Sequence, residues 1–183
     1  MGNVASASVS VRHAAPDDME QVRRIYSEEV ASGTSSFEYV APSLAEMQRR
    51  FESVTGAGYP YFVAEDVRGV VVGYSLASAY RARPGYRYTV EDSVYVAPAQ
   101  AGRGIGRMLL SRLIEACTER EDRLMVAVIG DVANVASIAL HRRLGFVEVG
   151  RMPGVGWKLG RWIESVLMQR ALGAGCASPP GRD

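Results

Sequence analysis

Apolar positions along the chain switch between two periods, and each switch marks an element. The alternation Ser8-Val-Ser-Val-Arg12 predicts a first strand, since period-two patterning puts both valines on one face. Pro16 with Asp17 and Asp18 signals a helix start, because proline suits the first turn and carboxylates favour its positive end. Met19, Val22, Ile25, Tyr26 and Val30 then recur at helical spacing until Ser32-Gly33-Thr34-Ser35-Ser36 breaks the run. Ser43-Leu-Ala-Glu46 is a capping box opening a second helix that fades before Gly56. Residues 61–66 and 70–76 are β-branched, apolar runs around Val67-Arg68-Gly69, the pattern of a hairpin. Residues 81–85 read as a loop, and 88–97 as a strand stopped by Pro98.

Farther on, Met108, Leu109, Leu113, Ile114 and Cys117 form the apolar face of another helix. The unbroken apolar run 124–129 predicts a strand covered on both faces. Asn134 opens a further helix that stops near Leu144-Gly145, where glycine suits the final turn. Residues 146–149 and 157–168 read as two closing strands. Residues 1–7 read as a flexible leader and 173–183, rich in Gly and Pro, as a disordered tail. The pattern is a single domain over 8–172, a mixed α/β sheet with helices on both faces.

Composition narrows the partners. Twenty-one basic against twenty acidic residues in 183 leave a net charge of +1, no footprint for nucleic acid or an anionic membrane. No 18-residue apolar stretch is present, and the first residues lack a basic start and an apolar signal core. Met1-Gly2 with Ser6 fits an acylation pattern, read more economically as part of the flexible leader. Cys117 and Cys176 lie far apart, which favours a reducing, cytoplasmic setting over a disulfide framework.

Between the strand ending at Ala97 and the helix after it sit Gly102, Gly104 and Gly106. A bare loop before a helix offers exposed N–H groups and the positive end of the helix dipole to a phosphate. A nucleoside-triphosphate loop is excluded because no Gly-Lys-Ser/Thr follows, and the third glycine is wrongly spaced for a dinucleotide fingerprint. A tight structural turn remains the alternative, with Arg103 and Arg107 as solvated charges.

In context the loop gains meaning. Ser93-Val-Tyr-Val-Ala-Pro98, the glycines, Met125-Val-Ala-Val-Ile129 and Asn134 through Leu140-His-Arg-Arg-Leu-Gly-Phe146 together resemble the GNAT superfamily of N-acetyltransferases. Gly33-Thr-Ser-Ser-Phe-Glu38, Tyr88 through Val96 and Gly156-Trp-Lys-Leu-Gly-Arg-Trp162 bring the resemblance closer to its phosphinothricin and methionine sulfoximine branch, over roughly Val9 to Leu172. The resemblance implies a mostly antiparallel sheet of about seven strands with about four helices, and acetyl-CoA as co-substrate without metal. It implies that Val94, Tyr95 and Val96 meet the pantetheine arm and that Gly102, Arg103, Gly104, Ile105, Gly106 and Arg107 take the pyrophosphate. Ala101 stands where the family pattern has Gln or Arg, a departure. Asn134 and Ser137 are implied to reach the cofactor, although Asn134 also reads as a helix N-cap.

Glu91, three residues before Val94, is the implied general base, and its plain alternative is a carboxylate paired with arginine. His141 stands where many relatives place a thiolate-protonating tyrosine; a structural histidine is the alternative. Arg81 and Arg83 suit a substrate carboxylate, with Phe37, Tyr86, Tyr88 and Thr89 as pocket walls and donors beside Glu91, unless the aromatics pack in the core. Trp157, Lys158, Arg161 and Trp162 complete the pocket in this reading, in a homodimer by analogy. Other amines, or a non-catalytic acyl-CoA sensor, remain the competing functions.

Overall fold

Elements form largely where the patterns change. A computed structural model describes residues 9–181; the leader at 1–7, Ser8 of the expected first strand and the last two tail residues lie outside them. Seven strands are β1 Ser10–His13, β2 Tyr61–Glu65, β3 Val71–Ala79, β4 Thr89–Val96, β5 Leu124–Ile129, β6 Val147–Lys158 and β7 Arg161–Ala171. Four helices are α1 Met19–Ser32, α2 Leu44–Gly56, α3 Ile105–Glu119 and α4 Val135–Arg143. The Ser43 hydroxyl accepts the Glu46 amide at 3.2 Å, as an N-cap should. Among the described residues no helix is long and apolar enough to cross a membrane.

Period-two alternation builds two cores from one sheet. In β2, Phe62 and Ala64 point to the core beneath α3, with Leu109, Leu113 and Met125. Tyr61 and Val63 point the other way, toward Met19, Val22 and Phe51 of α1 and α2. The α3 stripe differs by one residue from the pattern: Met108 is 39% exposed, while Leu110 is fully buried. Met108 lies on the flank of the stripe, where the thioether meets solvent.

The closing hairpin departs further from expectation. The run 157–168 is not one strand, because the chain reverses at Leu159-Gly160, where both residues take positive φ (50° and 74°). Trp157 consequently pairs with Trp162 and Lys158 with Arg161. Residues 150–156, expected as a gap between strands, stay in β6. Irregular register between Glu148 and Gly150 and between Met152 and Gly156 absorbs Pro153 on this edge strand.

Strand order is β1-β2-β3-β4-β5-β7-β6. Among the described residues β4 and β5 are the parallel neighbours; the other adjacent pairs are antiparallel. Their pairing stops after Thr89–Leu124, Val90–Met125 and Glu91–Val126. Beyond Glu91, β4 follows β3 to Val96 and β5 follows β7 to Ile129. The sheet is therefore split from this point, and the split positions the site.

Candidate active site

Parting strands leave one edge of β4 without a ladder partner, and backbone groups there must be satisfied by something else. The gap is a cleft of about 750 Å³ between β4, β5, the glycine loop and α4. Val94, Tyr95 and Val96 form one wall, and Gly102, Gly104, Ile105, Gly106 and Arg107 close one end. Gly102 (φ 76°) and Gly104 (φ 81°) occupy the left-handed region that side chains disfavour. A Cβ on Gly106 would come within 3.2 Å of Leu140, so the loop and α4 are in close contact. The bare cradle at the start of α3 fits a phosphate held by backbone N–H groups. Arg103 is not part of the lining; its guanidinium donates to the Gln100 side chain.

Asn134 does two things. Its Oδ1 accepts the Ser137 amide at 3.1 Å as an N-cap, and its Nδ2 donates to the Ser35 hydroxyl at 3.1 Å. Both Asn134 and Ser137 line the cleft.

Side-chain alternation along β4 sends its two acidic residues to opposite faces of the sheet. Glu91 lies on the α1 side with Tyr95, whose ring meets Tyr26 edge-on at 5.4 Å. The carboxyl of Glu91 lines the cleft half-buried. Its pKa is raised by burial and by the neighbouring Asp92 charge, against the opposing pull of Arg81. Asp92 lies on the α3 side and accepts from His141 Nε2 at 3.1 Å; Asp92 is 7% exposed and His141 3%. His141 Nδ1 stands 2.8 Å from the Ser137 carbonyl. With Asp92 ionised, both ring nitrogens face acceptors, and His141 is then the imidazolium. Burial opposes that charge, but the bond to Asp92, its charge and the Ser137 carbonyl outweigh it, so the His141 pKa is raised.

At the other end of the cleft, the segment 33–39 lies across β5 and the closing hairpin. Gly130 and Gly156 admit it: a Cβ on Gly130 would come within 2.2 Å of the Thr34 carbonyl, and one on Gly156 within 2.2 Å of the Phe37 ring. Thr34 donates to Asp131 at 2.9 Å, and Arg161 pairs with the same carboxylate. Buried Lys158 donates to the Ser36 carbonyl at 2.6 Å, and the Glu29 carboxylate accepts the Ser35 amide at 2.6 Å. Glu29 and Ser35 also line the cleft.

A second, apolar hollow of about 440 Å³ is lined by Phe37, Tyr39, Met152, Val155 and Trp157, and meets the cleft at Val128. Phe37 and Trp157 thus come together, whereas Trp162 is largely exposed. Arg81, Arg83 and Tyr86 are exposed on the loop before β4, and with Tyr88 and Thr89 they stand outside both hollows. The sequence patterns did not single out Glu29, Asp92, Asp131 or Arg143 of the cleft and its supports. Asp92 sat beside the candidate base, but its partner lies 49 residues away and only the fold joins them.

The profile of the acetyltransferase (GNAT) family matches residues 20–146. Phosphinothricin N-acetyltransferase of Alcaligenes faecalis is 46% identical over 177 residues, 97% of this chain and 89% of that protein. The L-methionine sulfoximine/L-methionine sulfone acetyltransferase of Pseudomonas aeruginosa is 42% identical over 165 residues, 90% of this chain and 95% of that protein. A crystal structure of a phosphinothricin acetyltransferase from Sinorhizobium meliloti in complex with acetyl-CoA superimposes with a TM-score of 0.93 at 48% identity, covering 95% of this chain and 94% of that one. A split sheet, a bare loop at the start of α3 and these matches agree, and the chain belongs to the GNAT family of N-acetyltransferases.

Proposed function

We propose that the protein moves an acetyl group from acetyl-CoA directly to the α-amine of a small amino acid or analogue, such as phosphinothricin, methionine sulfoximine or methionine sulfone, with Glu91 as general base. The observation that carries this is Glu91 itself, a half-buried carboxyl with a raised pKa at the point where β4 and β5 part. The named relatives support the acceptor class.

Acetyl-CoA supplies an acetyl thioester. The free edge of β4 over Val94–Val96 pairs with the pantetheine amides as an added strand would, and a backbone N–H there polarises the thioester carbonyl. Gly102 to Arg107 hold the pyrophosphate, with Asn134 and Ser137 along the opposite wall. Glu91 takes a proton from the incoming ammonium, directly or through a water, because only the neutral amine has a lone pair for attack. A free glutamate titrates near about 4.3, several units below an amine, and the raised pKa narrows that gap. His141, in the cleft wall, is the proton donor to the departing thiolate in this reading, a role that requires one of its ring N–H groups to leave Asp92 or the Ser137 carbonyl as the thiolate forms. Phe37 encloses the acceptor side chain, and Arg81, close enough to Glu91 to oppose the rise in its pKa, meets the acceptor carboxylate. Arg83, Tyr86, Tyr88 and Thr89, outside both hollows, would join it only through movement of the loop before β4.

Two copies pair in this reading: the closing hairpin, whose β6 is an edge of the sheet, leaves Val147, Val149, Val155, Trp157, Leu159 and Trp162 substantially exposed. Free Cys117 and Cys176 suit a reducing cytoplasm.

Thiol release with acetyl-CoA tests the reading against a panel of amino-acid analogues, polyamines and peptides. Turnover should favour the sulfoximine, sulfone or phosphinate amino acids. It should rise with pH along a limb whose midpoint lies above the ordinary glutamate value, because Glu91 must be ionised to accept a proton. Glu91→Gln should lower kcat by about 10²-fold or more and abolish that limb. Undiminished turnover in Glu91→Gln would remove Glu91 from the mechanism, and preference for a polyamine would remove the acceptor class.

A further inference from the structure

Two arginines at the outer end of the cleft have no carboxylate partner among the described residues. Arg107 stands in the first turn of α3 and Arg143 is the last residue of α4; both are exposed and both line the cleft. The adjacent Arg142 turns away to Glu148 at 3.9 Å. Arg143 belongs to a stripe: Ala136, Leu140 and Arg143 recur at four- and three-residue spacing, so they share one face of α4, and all three line the cleft. Leu140 presses that face against the loop at Gly106. The side chains of the loop itself offer little to an anion beyond Arg107, because Ala101 has no donor and Arg103 is engaged by Gln100.

Coenzyme A carries two anionic groups, and the site has two kinds of anion partner. The pyrophosphate lies within the cofactor chain, esterified at both ends, and its anionic oxygens suit bare backbone N–H groups at a helix start. The 3′-phosphate lies on the ribose beyond the pyrophosphate, counted from the thioester, and remains hydrated. A long, exposed guanidinium at the rim meets such a group without losing its own solvation. We propose that Arg143 binds the 3′-phosphate and makes the enzyme select coenzyme A over its dephospho form. The inference rests on the acetyl-CoA reading. The plain alternative is that Arg143 only complements the negative end of the α4 dipole.

Calorimetric titration of coenzyme A and of 3′-dephospho-coenzyme A into wild-type protein, Arg143→Ala and Arg142→Ala, at one fixed salt concentration, separates the two. Wild-type protein should bind coenzyme A about tenfold more tightly, the low end for a charge-assisted contact at an exposed position. Arg143→Ala should bind both ligands equally, with dephospho-coenzyme A held as in the wild type. Arg142→Ala should keep the wild-type preference. Arg143→Ala that retained the preference, or that weakened both ligands alike, would overturn the assignment. Wild-type protein that bound dephospho-coenzyme A but showed no preference would do so too. Wild-type protein that bound neither ligand would overturn the acetyl-CoA reading, and this one with it.

Discussion

Asp92 and His141 form a costly arrangement at the scale of single residues, since both are almost fully buried and, when His141 is protonated, each charge depends on the other. Removing one partner of such a pair strands the other and costs about 3–5 kcal/mol. Asp92→Asn lets His141 shed its proton instead, so it should lower stability by less than that, about 1–3 kcal/mol, read from urea unfolding near pH 6. The pH dependence has a definite sign. His141 has a folded pKa above its unfolded value, so its contribution is full below about 6.5 and is lost as pH rises through the raised folded value. Wild-type stability should fall across that window, and the Asp92→Asn protein should lose this part of the slope because burial then disfavours the imidazolium. A slope unchanged by the substitution would show that the pair does not control His141. The family resemblance singled out Glu91 and His141, and both line the cleft, yet their environment was not legible. Strand alternation places Glu91 and Asp92 on opposite faces, and no local pattern tells that the Asp92 face meets the last turn of α4. Arg143 was hidden for the same reason, because an arginine near a helix C-terminus already has a sufficient explanation in the dipole.

Elements were easier to read than their ends. The run 124–129 is continuous, apolar and bounded by Arg123 and Gly130, and its strand has the same bounds as the pattern. The closing hairpin was misread because Leu159 carries none of the usual signal for positive φ, while Pro153 and Gly154 look like a turn and are absorbed by an irregular edge strand. That hairpin carries part of the seat of the 33–39 segment through Lys158 and Gly156. Asp131, Lys158 and the two glycines at 130 and 156 hold the segment from below, and its Phe37 forms part of the apolar hollow. Gly156→Ala forces Phe37 to move, since a Cβ cannot sit 2.2 Å from its ring. Overpacking of this kind costs about 1–3 kcal/mol. The expected kinetic signature is a raised KM for the amino-acid acceptor with an unchanged Kd for acetyl-CoA, because the glycine loop lies at the other end of the cleft. Equal losses in both constants would mean that the hairpin and the loop are not independent.

At the scale of the whole molecule, the sheet behaves as two leaves joined at a short seam. Strands β1 to β4 form one leaf and β5 to β7 the other, and only three residue pairs join β4 to β5. Acetyl-CoA seated along the free edge of β4 would bridge the leaves from Val94 to α4, adding partners where backbone groups have none. Two consequences differ in kind. A ligand that binds only the folded state at a hundredfold excess over its Kd adds about 2.7 kcal/mol, which in a chain of this size raises Tm by about 5–11 °C. That shift follows from mass action and would accompany binding anywhere on the protein. Location is read by hydrogen exchange: saturation with acetyl-CoA should slow the amides of residues 92–96 and the first turn of α3 more than those of β1 and β2, which lie two strands or more from the seam. Uniform slowing across the sheet would report only the global shift. Protection that skipped residues 92–96 would show that the ligand does not use the free edge of β4, and the split would then be a feature of the fold without a part in holding the cofactor.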